Sequence, residues 1–163
     1  MYDYRKMTDD EKKQVLDIRK QRKYPYHRPP HLNPGQGVYL ITAATFEHIH
    51  YFEKPEELSA LEFLIIETLN NANIMFHSWV IQPNHYHLLL DLENPKDFGN
   101  VIAPVHRKSA LYCNKRDKVF KRKIWYRYAD RKMRSERHFW TTVSYILFNP
   151  VKHGFTDTPG NWL

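Results

Sequence analysis

The chain is short of the residues on which several large classes of protein depend. It contains one cysteine, Cys113, which excludes an intrachain disulfide and a thiolate zinc cluster. Five glycines leave little room for a phosphate-cradling loop, and neither a P-loop nor a Gly-x-Gly-x-x-Gly pattern occurs. No apolar run approaches the roughly 18 residues of a membrane span, and the first residues lack the apolar core of a signal peptide. We therefore expect a soluble, cytoplasmic protein with no membrane partner.

Acidic residues are scarce in one segment of the chain. Residues 107–137 hold 13 lysines and arginines against three acids, whereas residues 37–106 hold two against nine. The basic segment also carries Trp125, Tyr126 and Tyr128. Basic side chains neutralise phosphates and aromatic rings stack on unpaired bases, so nucleic acid is the favoured partner. A solvated basic surface is the alternative.

The chain has 163 residues, of which 42% are hydrophobic. Their pattern predicts an α+β domain. Residues 1–36, with a capping box at Thr8–Glu11 and a proline-rich segment at 24–30, form an N-terminal extension, and residues 37–163 form the main domain. We predict strands at 38–45, 74–81, 85–92 and 119–128, and helices at 8–22, 56–71, 96–115 and 135–149. Pro104 is expected to kink or split its helix, and Pro150 to end the last one. The order β-α-β-β-α-β-α is typical of the ferredoxin-like split βαβ fold, with an antiparallel sheet.

Two histidines, His85 and His87, begin the third predicted strand. Alternate residues of a strand share a face and lie about 6.6–7 Å apart along the backbone, so both imidazoles could bind one metal ion. Leu88 and Leu90 then point to the opposite face, into the core. Because the chain has 10 histidines, an accidental His-x-His pair is the alternative.

The last predicted helix carries a second pair of candidates. Ser135 is its expected N-cap, and Phe139, Val143 and Ile146 form its apolar stripe. Tyr145 and Asn149 are four residues apart, so they share a face of the helix. A hydroxyl and an amide oxygen thus point the same way, unless Tyr145 is a packing residue and Asn149 merely precedes a proline turn.

Together these motifs resemble a known family. The matching motifs are the Pro-Asn-His-Tyr-His-Leu-Leu strand, the Tyr-x-x-x-Asn-Pro-Val-Lys-His-Gly helix end and, between them, the segment Ile-Trp-Tyr-Arg at 124–127 and the pair Asp130 and Arg131. They are similar to those of the REP-associated tyrosine transposases, single-tyrosine members of the His-hydrophobic-His nucleases. The resemblance extends from about Gly37 to Trp162. Asn149 stands where related insertion-sequence transposases usually carry glutamine, which favours the REP-associated subgroup. Family members often continue into a serine-rich segment, so we expect part of the C-terminus to lie beyond Leu163.

The resemblance implies a chemistry and a set of site residues. Tyr145 would be the nucleophile that attacks a phosphate of single-stranded or hairpin DNA and forms a 5′-phosphotyrosine. His85, His87 and Asn149 would hold the divalent metal, Mg²⁺ or Mn²⁺ in the family, although imidazoles by themselves suit zinc or manganese better than magnesium. The candidate DNA-binding residues are Arg127, Arg131, Lys132, Arg134, Arg137 and Lys152.

The alternative function is a module that binds hairpin or single-stranded nucleic acid without cutting it. A ferredoxin-like sheet also serves RNA-recognition domains, but the chain has no clear RNP motif. A zinc hydrolase would need a motif such as His-Glu-x-x-His, which is absent. Both a monomer and a homodimer are compatible with the sequence.

Overall fold

The computed structural model of the chain describes residues 7–22 and 35–162. Helix α1 (Asp9–Gln21) begins at the predicted capping box, in which Thr8 and Glu11 each accept a hydrogen bond from the other's backbone N–H. The helix predicted at 8–22 is therefore confirmed. The proline-rich segment 24–30 lies outside the described residues, and the domain boundary at residue 36 stays a prediction.

One four-stranded antiparallel sheet forms the centre of the molecule. Its strands are β1 (Gly37–Ala44), β2 (Phe76–Gln82), β3 (His85–Leu92) and β4 (Ala129–Lys132), in the spatial order β2-β3-β1-β4. Helix α2 (Pro55–Asn71) connects β1 to β2, and α3 (Phe98–Arg116) leads from β3 towards β4. This is the split βαβ arrangement that the sequence predicts, with β3 in an interior position.

Helices cover both faces of the sheet, and β3 contributes to both cores. On one face, Leu88 and Leu90 pack in a core with Ile65 of α2 and Val105 of α3. On the other face, Leu89 packs against Val80 and against Ile146 of α4 (Glu136–Leu147). The alternation predicted for β3 is therefore confirmed. A strand buried on both faces needs apolar side chains on each.

The fourth predicted strand is wrong in position. Within 119–128, Trp125 makes one isolated bridge to Thr45, whereas the paired strand is β4, four residues long. The apolar residues Ile124, Trp125 and Tyr128 pack into the core through their side chains. Their aromatic, alternating pattern reflects burial rather than strand pairing, and the two cannot be told apart by periodicity alone.

The split predicted at Pro104 does not occur, whereas the predicted end of the last helix before Pro150 is confirmed. Helix α3 runs through Pro104 without being split, with Ile102 and Val105 buried on either side of it, so tertiary packing outweighs the lost backbone hydrogen bond. Helix α4 ends before Pro150, with Phe148 as its C-cap, and Pro150 lies in the first turn of a short helix, α5 (Asn149–Lys152). Proline is well tolerated in a first turn, where its missing N–H has no intrahelical partner. Within residues 7–22 and 35–162, no helix has the length and apolarity needed to cross a membrane.

Candidate active site

The sheet register places the two histidines of β3 on the face that α4 covers. His87 pairs with Thr42 of β1 and with Val80 of β2, and His85 pairs with Gln82. Both rings are buried, with 8% of His85 and 5% of His87 exposed, and their centroids lie 5.1 Å apart. The strand therefore places both imidazoles on one face, as predicted.

The Nδ1 atoms of both rings have fixed partners. His85 Nδ1 lies 2.7 Å from Asn84 Oδ1, and Asn84 Nδ2 donates to the carbonyl of His48 at 3.0 Å, which orients that amide. Since Asn84 Oδ1 can only accept, His85 Nδ1 carries the hydrogen and His85 Nε2 presents a lone pair. His87 Nδ1 lies 2.7 Å from Thr42 Oγ1. These contacts are of the kind that orients metal-binding histidines.

The Nε2 atoms face the two candidates from the C-terminal helices. Tyr145 Oη lies 3.1 Å from His87 Nε2, and Asn149 Oδ1 lies 3.0 Å from His85 Nε2. Tyr145 belongs to α4 and Asn149 to α5. Although the helix is interrupted at Phe148, both side chains contact the histidines of β3. All four residues proposed from the motifs therefore meet at one place.

Burial keeps both imidazoles neutral near pH 7. It lowers the pKa of His85 to about 4, although the Asn149 oxygen, which could accept a hydrogen bond from the protonated ring, acts in the opposite direction. Burial and, to a smaller extent, the neighbouring His85 together lower the pKa of His87 to about 3. A metal ion binds neutral imidazole through its lone pair, so these values favour ligation rather than charge on the rings.

The donor set fits a divalent cation. His85 Nε2 and Asn149 Oδ1 both present lone pairs across 3.0 Å, an arrangement that a cation between or beside them would stabilise. Asn149 is fully buried, and no described residue accepts a hydrogen bond from its Nδ2. Among residues 7–22 and 35–162, no cluster of three or more His, Cys, Asp or Glu could hold a metal, so the amide oxygen is needed beside the two imidazoles.

Tyr145 is the accessible member of the group. Its exposed fraction is 38%, and it lines a cleft of about 630 Å³ together with His87, Arg131 and His138. The Nζ of Lys152 lies 5.6 Å from the centre of the Tyr145 ring. A substrate that enters the cleft can thus approach Tyr145, whereas His85 and His87 are largely buried.

The candidate DNA-binding residues are divided between two surfaces. Arg131 lines the cleft, Lys152 lies beside the Tyr145 ring, and Arg134 and Arg137 are exposed at the start of α4. Lys132 is different, because its ammonium group packs 5.7 Å from the ring centre of Tyr39.

Arg127 lies on the other side of the sheet, beside α3. It lines a groove of about 810 Å³. The other cations and aromatic rings of this groove are Lys96, His106, Arg107, Arg122, Lys123, Trp125, Tyr126 and Tyr128. Part of the basic, aromatic segment therefore faces away from the histidines.

The residues that hold the histidines in place were not predicted from the sequence. Asn84 directly precedes His85, so its proximity could have been noticed. Thr42 could not have been identified, because its contact with His87 depends on the pairing of β1 with β3. His153, whose ring centroid lies 5.0 Å from that of His85, was noted only as part of the C-terminal motif.

No family model matches the chain. Two curated relatives are similar to it: a REP-associated tyrosine transposase of Escherichia coli K12, 27% identical over 103 residues, and a putative REP-associated tyrosine transposase of Haemophilus influenzae, 28% identical over 92 residues. These matches cover 63% and 50% of this chain. The chain spans 59% and 52% of the lengths of the two relatives.

A solved structure has a similar fold. It is a REP-associated tyrosine transposase bound to a REP hairpin, with a TM-score of 0.63 and 22% identity, and the match covers 78% of this chain and 74% of that one. The resemblance predicted from the motifs is confirmed by the curated relatives, and the fold by this neighbour.

Proposed function

We propose that this chain, which is similar to the REP-associated tyrosine transposases, cuts and rejoins single-stranded or hairpin DNA through Tyr145. The observation that carries the proposal is the convergence of Tyr145 Oη and Asn149 Oδ1 on the Nε2 atoms of His87 and His85. A packing tyrosine or a surface asparagine would not need two buried, neutral histidines as partners.

The reaction is a transesterification at phosphorus. The oxygen of Tyr145 forms a bond to a DNA phosphorus while the bond from that phosphorus to the 3′-oxygen of the preceding nucleotide breaks. The tyrosine proton is lost, and the leaving oxygen gains a proton to become a free 3′-hydroxyl. The 5′-phosphotyrosine keeps the phosphodiester linkage, so a second 3′-hydroxyl can attack it, release Tyr145 and join two strands.

A divalent cation, Mg²⁺ or Mn²⁺, would supply a Lewis acid for the charge that develops on the phosphate oxygens. His85, His87 and Asn149 would hold it, with Asn84 and Thr42 fixing the two rings through Nδ1.

Lys152 assists Tyr145 by charge. Its ammonium group beside the ring can attract the phosphate that Tyr145 attacks and offset the negative charge on it. Arg131 lines the same cleft and would bind the DNA backbone next to the scissile bond. Both roles require the exposed position that Tyr145 has.

A covalent trapping assay tests the proposal. The protein is incubated with a library of labelled hairpin and single-stranded oligonucleotides and with Mn²⁺ or Mg²⁺, then separated on a denaturing gel. We expect a metal-dependent protein–DNA adduct that Tyr145→Phe abolishes while DNA affinity stays near that of the wild type. Tyr112→Phe, at an exposed tyrosine on α3, is the matched control and should form the adduct normally. An adduct that persists in Tyr145→Phe would remove this residue from the role.

The second candidate is a protein that binds such DNA without cutting it. The basic, aromatic groove beside α3 favours it, because that surface can bind phosphates and unpaired bases independently of the histidines. Tight, salt-sensitive binding without an adduct across the whole library would select this function instead.

A further inference from the structure

Gln82 is a buried amide beside the candidate active site to which the reaction above gives no role. It ends β2 and pairs with His85 of β3, so the two side chains project from the same face of the sheet. Val80, two residues earlier on that face, packs against Ile146 of α4. Gln82 therefore lies beneath the C-terminal helices, and its exposed fraction is 0%.

Its carboxamide has no partner in the part of the chain that the structure describes. Neither Oε1 nor Nε2 of Gln82 makes a hydrogen bond to residues 7–22 or 35–162, and the same holds for Nδ2 of Asn149. Buried amide atoms without partners are costly, and native proteins rarely contain several together. Both amides adjoin one ring, since Gln82 faces His85 across the strand pair and Asn149 Oδ1 lies 3.0 Å from His85 Nε2.

The two amides are chemically complementary. Asn149 Nδ2 needs an acceptor, and Gln82 Oε1 is an acceptor without a donor. The two atoms are not hydrogen-bonded to each other directly, and one ordered water between them would satisfy both. It would also fix the orientation of the Asn149 amide, because the nitrogen would be engaged by Gln82 and the oxygen would remain directed at His85.

We propose that Gln82 is a positioning residue of this site, the carboxamide of which holds that of Asn149 with its oxygen towards His85. This inference deepens the proposed function, since the oriented oxygen is the one that would join the two imidazoles as a donor. A purely structural role does not require an amide, because an apolar side chain of the same length would fill the site without leaving polar atoms unpaired.

Two substitutions and a control separate orientation from packing. Gln82→Met keeps the size and flexibility of the side chain and removes both polar atoms. Gln82→Glu keeps an acceptor for Asn149 Nδ2. Ser78→Ala is the control, at another buried polar residue on the same strand and the same face. Melting curves of all three variants establish that each is folded.

The first readout requires neither metal nor DNA. The side-chain amide protons of Asn149, assigned in the NMR spectrum by their loss in Asn149→Asp, should be protected from solvent exchange in the wild type, in Gln82→Glu and in Ser78→Ala. In Gln82→Met they should shift and exchange faster. Unchanged shifts and exchange in Gln82→Met would overturn the inference.

The second readout is the affinity for Mn²⁺ alone, measured by calorimetric titration of the full chain. We expect Gln82→Met to bind about 10- to 100-fold more weakly than the wild type, the range typical of residues that orient metal ligands. Gln82→Glu should bind at least as tightly as the wild type, and Ser78→Ala within about twofold, because that change leaves the ligands oriented. Equal affinity of Gln82→Met and Ser78→Ala would overturn the inference.

The outcomes for Gln82 and for the reaction are distinguishable. If the wild type forms no DNA adduct but Gln82→Met alters the Asn149 amide and weakens Mn²⁺ binding, the proposed reaction fails and the positioning role stands. If the adduct forms but Gln82→Met behaves as the wild type in both readouts, the proposed reaction stands and the positioning role of Gln82 fails.

Discussion

Tyr145 and His87 are joined by a 3.1 Å contact between the tyrosine hydroxyl and Nε2 of the imidazole, although one residue lies on α4 and the other on β3. Their environments differ, since Tyr145 is 38% exposed and His87 only 5%. A nucleophile that must reach a phosphate needs access from solvent, whereas a neutral imidazole ligand needs burial. The pair combines an exposed hydroxyl group and a buried imidazole at one contact.

Thr42→Val should impair the site without disturbing the fold. Valine has nearly the shape of threonine but cannot bond to His87 Nδ1, so the ring loses its fixed orientation. We expect the rate of adduct formation to fall about 10- to 100-fold, as for other residues that orient metal ligands. Thr158→Val, at an exposed threonine outside the cleft, is the control, and equal rates for the two variants would contradict the role of Thr42.

Removal of divalent metal should abolish adduct formation and leave the fold intact. Imidazole nitrogens bind Mn²⁺ more strongly than Mg²⁺, so the affinity measured by calorimetric titration should be higher for Mn²⁺. His85→Ala should weaken the binding of both ions, whereas His77→Ala, on the edge strand β2, should not. If His85→Ala binds Mn²⁺ as the wild type does, the ion binds elsewhere.

Arg131→Gln should weaken DNA binding in a manner that does not depend on sequence. Arg131 is exposed and lines the cleft beside Tyr145, where it can neutralise one phosphate. Loss of one phosphate contact to a single strand should reduce the slope of log K against log salt concentration by about 0.7. Fluorescence anisotropy at several salt concentrations measures the slope. Lys54→Gln, in the acidic half of the chain, should leave it unchanged, and an unchanged slope for Arg131→Gln would place the backbone contact elsewhere.

His106→Gln should make stability less dependent on pH. Burial lowers the pKa of His106 from 6.5 to about 4, so the unfolded chain takes up this proton first as the pH falls. The free energy of unfolding therefore decreases as the pH falls from about 6.5 to about 4. Glutamine can still bond to the Tyr86 hydroxyl, which lies 2.8 Å from the ring, but it cannot take up a proton.

We expect the slope of the unfolding free energy against pH to be smaller in His106→Gln by up to about 1.4 kcal/mol per pH unit within that window. Urea unfolding at pH 7, 6 and 5 measures it. Parallel profiles for the variant and the wild type would show that His106 does not titrate in this range.

Ser135→Ala should destabilise the helix that carries Tyr145. Ser135 Oγ accepts a hydrogen bond from the His138 N–H at 3.1 Å and caps α4. Loss of such a cap costs about 1 kcal/mol of unfolding free energy. Ser144→Ala, at an exposed position inside α4, should be neutral or slightly stabilising because alanine is the better helix former. Equal effects of the two variants in urea unfolding would contradict the capping role.

Local chemistry allowed much of the fold to be predicted. The Thr8 capping box, the Ser135 cap and the alternation along His85–Leu92 depend on neighbours within a few residues, and all three are confirmed. The fourth strand failed because the aromatic pattern around Trp125 records burial and not pairing. The predicted end of the last helix before Pro150 is confirmed as well, although Pro150 also lies in the first turn of the next helix.

The four candidate site residues were predicted from two motifs, the His-x-His pair of the strand and the Tyr-x-x-x-Asn pair of the helix. The sequence by itself determined that His85 and His87 share one face of a strand and that Tyr145 and Asn149 lie four residues apart, because these relations follow from strand and helix periodicity. Only the tertiary structure decided that the two pairs meet, that Thr42 contacts the His87 ring and that Gln82 lies beside His85. Those contacts depend on strand register and on the docking of α4 and α5 against the sheet, which are set by packing between residues far apart in the chain.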